Sequence, residues 1–287
     1  MTIQNINVDG VNIRIRTSSG SSIPVLLCGG IGSSLEFWDQ QFEALGDELR
    51  LIAWDYPGHG LSDMGKQPYE PDSYAEFALR LLDTLGLDRV VLVGNSLGGT
   101  IGLRLAGLAP ERVAGMVLIS PAMTGKEVFA PFRIMSLPVL GDVMNKPSES
   151  GVTRQIAAIF NKGFTPSEGF RAVVRRNIFK PGADKAFLAS LRLTLGLAGV
   201  RKEVVQKSRE NLMGLQCTVV FVHGRDDMVL PFKQSEECDR LAPNSQLVVL
   251  DDCGHTAQIE RPEVVNDLIQ TMVQSVAGAS AAQTAAQ

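Results

Sequence analysis

One ten-residue stretch restricts the possible folds of this chain more than any other. From Val90 to Gly99 the sequence reads VVLVGNSLGG, in which an apolar run meets a small-residue turn and a helical pattern follows at once. The apolar run is typical of a strand buried on both faces. Gly94 and Gly98 lie two residues on either side of Ser96, where small residues allow the helix to pack closely on the strand. We therefore predict a strand, a very tight turn and a helix.

Strand-like and helix-like segments alternate along most of the chain. Thr2–Val8 and Val11–Thr17 flank Asp9-Gly10, a dipeptide typical of a two-residue hairpin. Later apolar runs predict strands at Pro24–Cys28, Leu51–Asp55, Val90–Val93, Val113–Ser120, Val219–His223 and Gln246–Leu250. Helical patterns lie near Leu35–Leu45, Ser73–Leu85, Leu97–Leu108, Phe232–Leu241 and Pro262–Val276. This alternation predicts an α/β fold, with a mostly parallel central sheet of about eight strands and helices on both faces.

The alternation stops in the middle of the chain. Between Ala122 and about Gly214 the sequence has no convincing strand pattern and contains helical segments around several prolines. We therefore expect a core formed by residues 1–121 and 215–278, with a helical cap inserted at 122–214. The remaining segment, 279–287, consists of Ala, Ser, Gln and Thr. Its composition is typical of a disordered tail.

Composition and charge narrow the functional classes. With 27 basic and 31 acidic residues the net charge is −4, which favours neither nucleic acid nor an anionic membrane surface. No apolar run approaches the roughly 18 residues of a membrane span, and the N-terminal residues do not resemble a signal peptide. The cysteines form no metal or C-x-x-C spacing, so we expect reduced thiols and a cytoplasmic protein. They are Cys28, Cys217, Cys238 and Cys253. The sequence does not indicate an oligomeric state.

The turn at Ser96 has the pattern of a nucleophile elbow. G-x-S-x-G between a strand and a helix holds a serine in strained backbone geometry and aims it at the helix N-terminus, which favours developing negative charge. A dinucleotide fingerprint would need glycine in place of Ser96, and a phosphate loop would need lysine near Thr100. The motif therefore favours a catalytic serine.

A nucleophilic serine needs a general base, and three histidines are available. His255 follows the last predicted strand, so it lies at the same sheet edge as Ser96 and is the candidate base. His223 ends a buried strand and is predicted to be structural. His59 lies in a turn-rich loop, where we expect a loop histidine that borders the site at most. The acid that orients the base is Asp226 or Asp227, in the loop after the strand Val219–His223.

The combined pattern resembles the α/β-hydrolase family over nearly the whole chain outside the cap. The family's acid loop usually reads G-x-x-D with proline four residues later, a spacing that Gly224, Asp227 and Pro231 match. The resemblance therefore implies Asp227 as the acid. The segment DYPGHGLS, beginning at Asp55, resembles a structural signature of the same family.

The resemblance also implies an oxyanion hole. The residue after the nucleophile, Leu97, would supply one N–H. The second donor would come from the loop that begins at Cys28, which resembles the family's H-G-x-G loop and points to Ile31, with Gly30 as a fallback. Gly29 stands where the family usually has histidine. Serine, base and oxyanion hole suit acyl transfer to water and need neither metal nor organic cofactor.

The expected function is hydrolysis of small or medium carboxylic esters with an apolar part. Candidate pocket residues are Trp38, Asn95, Phe132 and Met135. The segments around Ser96 and His255 also resemble meta-cleavage-product hydrolases, which cleave carbon–carbon bonds and usually carry tryptophan where this chain has Thr256. The loop at Gly30 is similar to that of intracellular polyester depolymerases. A ligand receptor on the same fold, with little turnover, is the alternative outside enzymes.

Overall fold

The computed structural model describes residues 1–66 and 68–285 of the chain. The strands in these residues are β1 Thr2–Val8, β2 Val11–Thr17, β3 Val25–Cys28, β4 Leu51–Trp54, β5 Val90–Asn95, β6 Val113–Ile119, β7 Leu195–Gly196, β8 Gly199–Val200, β9 Val219–Gly224 and β10 Ser245–Leu250. The predicted strand runs are thus found to within about two residues at each end.

The helices follow the same order along the chain. They are α1 Asp39–Leu45, α2 Pro71–Thr84, α3 Leu97–Leu108, α4 Ala130–Met135, α5 Leu140–Met144, α6 Glu149–Ile159, α7 Glu168–Phe179, α8 Ala183–Thr194, α9 Lys202–Met213, α10 Lys233–Leu241, α11 Ala257–Glu260 and α12 Pro262–Ala285. Short 3₁₀ segments precede α1 and β6. Pro71 and Pro262 begin helices, where a missing N–H is tolerated.

Eight strands form one mostly parallel sheet in the order β1-β2-β4-β3-β5-β6-β9-β10. The predicted hairpin forms its antiparallel edge: Val8 pairs with Val11, and Asp9 and Gly10 both have positive φ, as a type I′ turn requires. From β4 to β10 the pairing is parallel. The predicted α/β class is therefore confirmed.

The central strands are buried on both faces and separate two apolar cores. In β5, Val90 and Leu92 pack into one core with residues of α2 and α3, while Val91 and Val93 pack into the other with residues of α1 and α12. This two-residue alternation is the pleat of a strand covered on both sides. It explains why the sequence shows a continuous apolar run there instead of alternating apolar and polar residues.

The connection from β6 to β9 is mainly helical, as the missing strand pattern predicts. It holds α4 to α9 and one two-residue hairpin, β7–β8. Strands this short have no detectable periodicity, so the sequence pattern misses them. Helix α9 contacts α3 and α10 beside the sheet, whereas α4 contacts α5, α8 and β7 within the connection itself.

The C-terminal helix α12 extends from Pro262 to Ala285 and includes most of the segment 279–287 for which the composition suggests a tail. Residues 286–287 lie outside the described part of the chain. None of the helices described is both long and apolar enough to span a bilayer.

Helix α3 packs on the sheet through glycine. A Cβ atom on Gly94 would lie 2.6 Å from the carbonyl carbon of Gly98, and one on Gly98 would overlap the carbonyl group of Cys28. Both obstacles are backbone atoms, which cannot move aside as the end of a side chain can. Close contact between these backbones is therefore the reason that small residues are needed on either side of Ser96.

This contact yields a prediction for stability. Gly98→Ala should lower the free energy of unfolding by at least about 2 kcal/mol, because an overpacked backbone contact must open. Gly196→Ala is the matched control, since a Cβ there meets no atom within 4 Å, and it should stay within about 0.5 kcal/mol of the wild type. Urea denaturation followed by circular dichroism measures both. Equal stabilities of the two variants would contradict the packing argument.

Candidate active site

Ser96 lies at the end of β5 and immediately before α3, in a strained backbone conformation with φ 55° and ψ −117°. The turn is held on both sides: the N–H of Ser96 donates to the carbonyl of Ile119, and its carbonyl accepts from the N–H of Ala122. The side chain lies at the N-terminus of α3, where backbone N–H groups have no intrahelical acceptor. A positive φ at serine is unusual and typical of functional turns.

The glycine-rich loop after β3 lies directly against this serine. A Cβ atom on Gly30 would come within 3.3 Å of the Ser96 Cβ and 3.8 Å of its hydroxyl oxygen. The loop is closed by Ser33, whose N–H and hydroxyl both donate to the Gly30 carbonyl. Within the described residues, neither the N–H of Ile31 nor that of Leu97 donates to another group. Two free backbone donors therefore flank Ser96.

His255 and Asp227 are joined by a short hydrogen bond. Nδ1 of His255 lies 2.7 Å from Oδ2 of Asp227, and the aspartate side chain is completely buried. The other oxygen, Oδ1, accepts from the N–H groups of Val229 and Leu230. A carboxylate can only accept, so Nδ1 of His255 carries a proton, and in the neutral ring this tautomer leaves the lone pair on Nε2.

A second histidine reaches the same carboxylate. Nε2 of the fully buried His223 lies 3.0 Å from Oδ2 of Asp227 and 3.1 Å from the carbonyl oxygen of Leu230, and its Nδ1 lies 2.7 Å from the hydroxyl of Ser235. Both neighbours of Nε2 are acceptors, so Nε2 carries a proton and donates. His223 is buried at the end of its strand, in keeping with the structural role predicted for it, but the sequence did not indicate that its partner is Asp227.

These contacts set the charge of the buried acid. Burial by itself favours the neutral carboxyl, but the neighbouring His255 and His223 outweigh it and hold the pKa of Asp227 below its ordinary value. The carboxylate is therefore ionised at neutral pH and accepts four hydrogen bonds.

The loop that carries His255 is fixed to three parts of the molecule. The carbonyl of His255 accepts from the side chain of Asn95, and the N–H of His255 donates to the carbonyl of Ile159 at the end of α6. The Glu260 carboxylate accepts from the N–H groups of Gly254 and Asn161. Asn95, predicted as a pocket residue, thus connects the turn at Ser96 with the histidine loop.

A small cavity of about 40 Å³ adjoins Ser96. Residues from the elbow, the glycine loop, the acid loop and the helical connection form its wall. They are Ile31, Ser96, Leu97, Ala122, Met123, Val128, Phe132, Ser190, Leu191, Thr194, Leu195, Val200, Val229 and Leu230. Most of these side chains are aliphatic or aromatic, so the space suits an apolar group.

Of the four predicted pocket residues, only Phe132 belongs to this wall. Asn95 is buried beside the histidine loop. Trp38 packs under the other face of the sheet with Phe42, because the short helix that carries it turns its aromatic side inward. Met135, three residues after Phe132, packs at the margin of the first core. For these three the pocket prediction does not match the cavity.

The remaining candidate residues, Asp226 and His59, do not line this cavity. Asp226 is exposed and accepts a hydrogen bond from the side chain of Asn161. His59 is buried against Tyr74, and its burial lowers its pKa to about 4. Among the described residues, no group of three or more His, Cys, Asp and Glu side chains is placed to hold a metal ion.

Comparison with known proteins identifies the family. The sequence model of the alpha/beta hydrolase fold matches residues 23–262, so the chain belongs to the α/β-hydrolase family. It is 28% identical to a poly(3-hydroxyalkanoate) depolymerase of Ectopseudomonas oleovorans, over 94% of this chain and 92% of that protein. It is 29% identical, over 85% of its length, to the dihydrolipoyllysine-residue acetyltransferase component of an acetoin cleaving system from Pseudomonas putida, and the match covers 61% of that protein.

Solved structures share the fold. An esterase from Thermogutta terrifontis superposes with a TM-score of 0.78 and 24% identity, covering 96% of this chain and 99% of that one. A meta-cleavage product hydrolase from Pseudomonas fluorescens IP01 superposes with a TM-score of 0.80 and 24% identity, covering 95% and 97%. These likenesses extend over both the sheet and the helical connection.

The contact between His223 and Asp227 yields a second prediction. His223→Leu removes a donor from a buried carboxylate and should lower the free energy of unfolding by about 3 kcal/mol. His223→Gln can keep an N–H near the position of Nε2, so it should recover a large part of that loss. Urea denaturation at neutral pH compares the two variants. If they are equally unstable, His223 contributes packing and not its hydrogen bond.

Proposed function

We propose that the protein is a serine hydrolase that cleaves carboxylic esters through an acyl-enzyme, with Ser96 as nucleophile, His255 as general base and Asp227 as the orienting acid. The hydrogen bond from His255 Nδ1 to the buried carboxylate of Asp227 carries this proposal. It leaves Nε2 of the imidazole unprotonated, as a base must be to accept the serine proton. Ser96 and His255 both follow strands of the parallel part of the sheet, at the same edge.

The reaction proceeds in two halves. The Ser96 oxygen attacks the ester carbonyl while its proton passes to Nε2 of His255, and the resulting oxyanion accepts from the N–H groups of Leu97 and Ile31. The tetrahedral intermediate then expels the alcohol, which takes the proton from His255, and the acyl group stays on Ser96. Water repeats the sequence on the acyl-enzyme and releases the carboxylic acid. Asp227 holds the imidazole in the reactive tautomer throughout.

The cavity supports an uncharged acyl or alcohol part. Apart from Ser96, the polar residues in its wall are Ser190 and Thr194, and the remaining side chains there are apolar. An ester with an alkyl or aryl portion buries that portion favourably against such a wall. Two of the matched proteins are named as an esterase and as a poly(3-hydroxyalkanoate) depolymerase, and these names favour an ester as the substrate.

Carbon–carbon bond hydrolysis is a weaker fit to this cavity. A relative from Pseudomonas putida is a 2-hydroxy-6-oxo-2,4-heptadienoate hydrolase, and such a substrate carries a carboxylate. A buried carboxylate needs a cation or several donors. Within the described chain, the cavity wall offers two hydroxyl groups beyond Ser96 and no charged side chain. We therefore place ester hydrolysis first.

We further propose that residues 122–214 act as a cap that shapes this cavity. Phe132 of α4, Ser190 and Thr194 of α8, and Leu195 and Val200 of the β7–β8 hairpin contribute to its wall. Covering the site in this way excludes water and strengthens the hydrogen bonds to the oxyanion. The last helix of this segment, α9, packs against α3, so it also belongs to the packing of the core.

The proposed roles predict a particular set of losses. Ser96→Ala and His255→Ala should each lower kcat for a p-nitrophenyl ester by roughly 10⁴–10⁶, and the double variant should be little worse, because the two groups act as one unit. Asp227→Asn should cost roughly 10⁴ through loss of imidazole orientation. The control is Asp226→Asn, which should keep nearly full activity because Asp226 is exposed and contacts Asn161.

A fluorophosphonate probe provides a measurement that does not depend on the substrate. Wild type and Asp226→Asn should label, whereas Ser96→Ala should not. Labelling of Ser96→Ala would show a different nucleophile, and the absence of turnover in a labelled wild type would favour a receptor. Losses that multiply in the double variant would show that Ser96 and His255 act independently.

The cavity wall predicts how substrate preference is set. Phe132→Ala should shift the kcat/KM optimum towards longer acyl chains, because removing the ring enlarges an apolar space in which one methylene is worth about 1–3 kcal/mol. Met135→Ala is the matched control, since Met135 lies outside the wall, and it should leave the profile unchanged. A series of p-nitrophenyl esters measures both profiles. Identical profiles for Phe132→Ala and wild type would show that Phe132 of the proposed cap does not set the preference for acyl-chain length.

A further inference from the structure

Charge is distributed very unevenly along this chain. Residues 122–214 contain fifteen Lys and Arg but only seven Asp and Glu, although acidic residues outnumber basic ones in the chain as a whole. The proposed cap is therefore strongly positive and the core strongly negative. The net charge of the whole chain is small because the opposite charges of the proposed cap and the core largely cancel.

The same segment carries an exposed apolar patch. We define the patch by the exposed residues Ile134, Val139, Leu140, Val143, Met144, Leu193 and Leu197. Val139 is 71% exposed, Val143 62% and Leu197 61%. Large apolar side chains exposed together in neighbouring elements are typical of surfaces that meet a partner.

Direct contacts connect the elements that carry the patch. Helix α4 contacts α5, α8 and β7. Arg133 of α4 donates to the carbonyl of Leu197 in the β7–β8 turn, and Arg192 of α8 forms an ion pair with Asp142 of α5. The patch therefore belongs to one packed unit of the cap.

The turn at the centre of the patch is strained. Val139 has φ 68° and ψ −58°, and the N–H of Leu140 donates to the carbonyl of Pro138, which together define a tight three-residue turn. A β-branched residue with this φ is an outlier, and such geometry persists at sites where the conformation has a function. The turn exposes two successive apolar side chains, Val139 and Leu140.

Cations that are not neutralised by a carboxylate accompany the apolar side chains; Arg133 and Arg201 donate to carbonyl groups. Arg133, Lys146 and Arg201 lie on or next to the elements of the patch. No carboxylate forms an ion pair with any of these three among the residues described. Apolar groups that can enter the acyl boundary, together with basic side chains that can pair with headgroups, are the two requirements for binding at a lipid interface.

We propose that this patch docks the protein on an anionic lipid surface. Charge complementarity favours this partner over a second copy of the chain, because two copies meeting through the patch would bring two strongly positive caps together. A partner surface that is apolar but uncharged would give Arg133, Lys146 and Arg201 no negative charge to pair with. The elements of the patch also contribute Phe132, Leu191 and Leu195 to the wall of the cavity beside Ser96.

Vesicle flotation of the full chain tests the proposal. Wild type should float with vesicles of equal parts phosphatidylcholine and phosphatidylglycerol, bind phosphatidylcholine alone at least roughly tenfold more weakly, and lose binding as salt is raised. The triple variant Val139→Ser, Leu140→Ser, Val143→Ser should weaken binding by roughly tenfold or more. Arg133→Gln, Lys146→Gln and Arg201→Gln together should weaken it by a similar factor, only on the anionic vesicles.

Matched variants outside the patch serve as controls. Leu108→Ser with Met213→Ser removes two exposed apolar side chains outside the patch, and Arg50→Gln with Arg89→Gln removes two exposed cations outside the cap. Both should float like wild type. Circular dichroism and hydrolysis of a dissolved short-chain ester should be unchanged in the patch variants, which shows that they fold.

Several results would overturn the proposal. Wild type that stays unbound on anionic vesicles at low salt excludes lipid docking. A dimeric wild type that becomes monomeric in the Val139, Leu140 and Val143 variant assigns the patch to a second copy. Equal binding by patch and control variants makes the interaction non-specific. Flotation needs no turnover, so Ser96→Ala should still bind, and the result is independent of the proposed hydrolase activity.

Discussion

Contact between the backbone of α3 and that of the neighbouring strands is the constraint on which the site depends. No side chain separates Gly98 from the carbonyl of Cys28 or from Gly94. The helix therefore begins immediately after Ser96, and the loop that follows β3 approaches the serine so closely at Gly30 that a Cβ there would lie 3.3 Å from the Ser96 Cβ. A larger residue at Gly98 would move the helix N-terminus and its N–H groups away from the glycine loop. The strained φ of Ser96 follows from this close packing.

The buried carboxylate of Asp227 is the second fixed point. It receives two side-chain hydrogen bonds from histidine and two from backbone N–H groups of its own loop. An ion with this number of donors can be buried without becoming neutral. The protein thus gains a permanent negative charge beneath His255, and the geometry of that charge is set by β9 and its loop. The proposed base depends on a partner that solvent does not reach.

The sequence predicts those features that local chemistry determines. Strands buried on both faces leave continuous apolar runs, and the turn at Ser96 needs glycine at set positions, so both could be located. The residues alone leave Asp226 and Asp227 as alternatives; the resemblance to the family's acid loop favours Asp227, which is the aspartate that bonds to His255. The sequence could not show that His223 bonds to Asp227, because that contact depends on how two loops pack. Trp38 and Met135 were assigned to a pocket since a side chain's residue type does not reveal which face of its helix is buried.

The segment proposed as a cap is bonded to the rest of the chain more extensively at one end than at the other. At the end of α6, the carbonyl of Ile159 accepts from the N–H of His255, and Asn161 bonds to Asp226 and Glu260. That part of the cap is fixed to the loops of both the proposed base and the proposed acid. The long polar contacts of α4 and α5 run to Leu197, Asp184 and Arg192, which belong to the cap itself. Most of the exposed apolar side chains lie on these two helices or in the turn between them, and the others, Leu193 and Leu197, lie on α8 and in the β7–β8 turn. Helix α4 is itself tied to the acid loop at its N-terminal end, because the N–H of Phe129 donates to the carbonyl of Val229, whose own N–H donates to Asp227. A movement of α4 and Phe132 would therefore reach the carboxylate that bonds to His255.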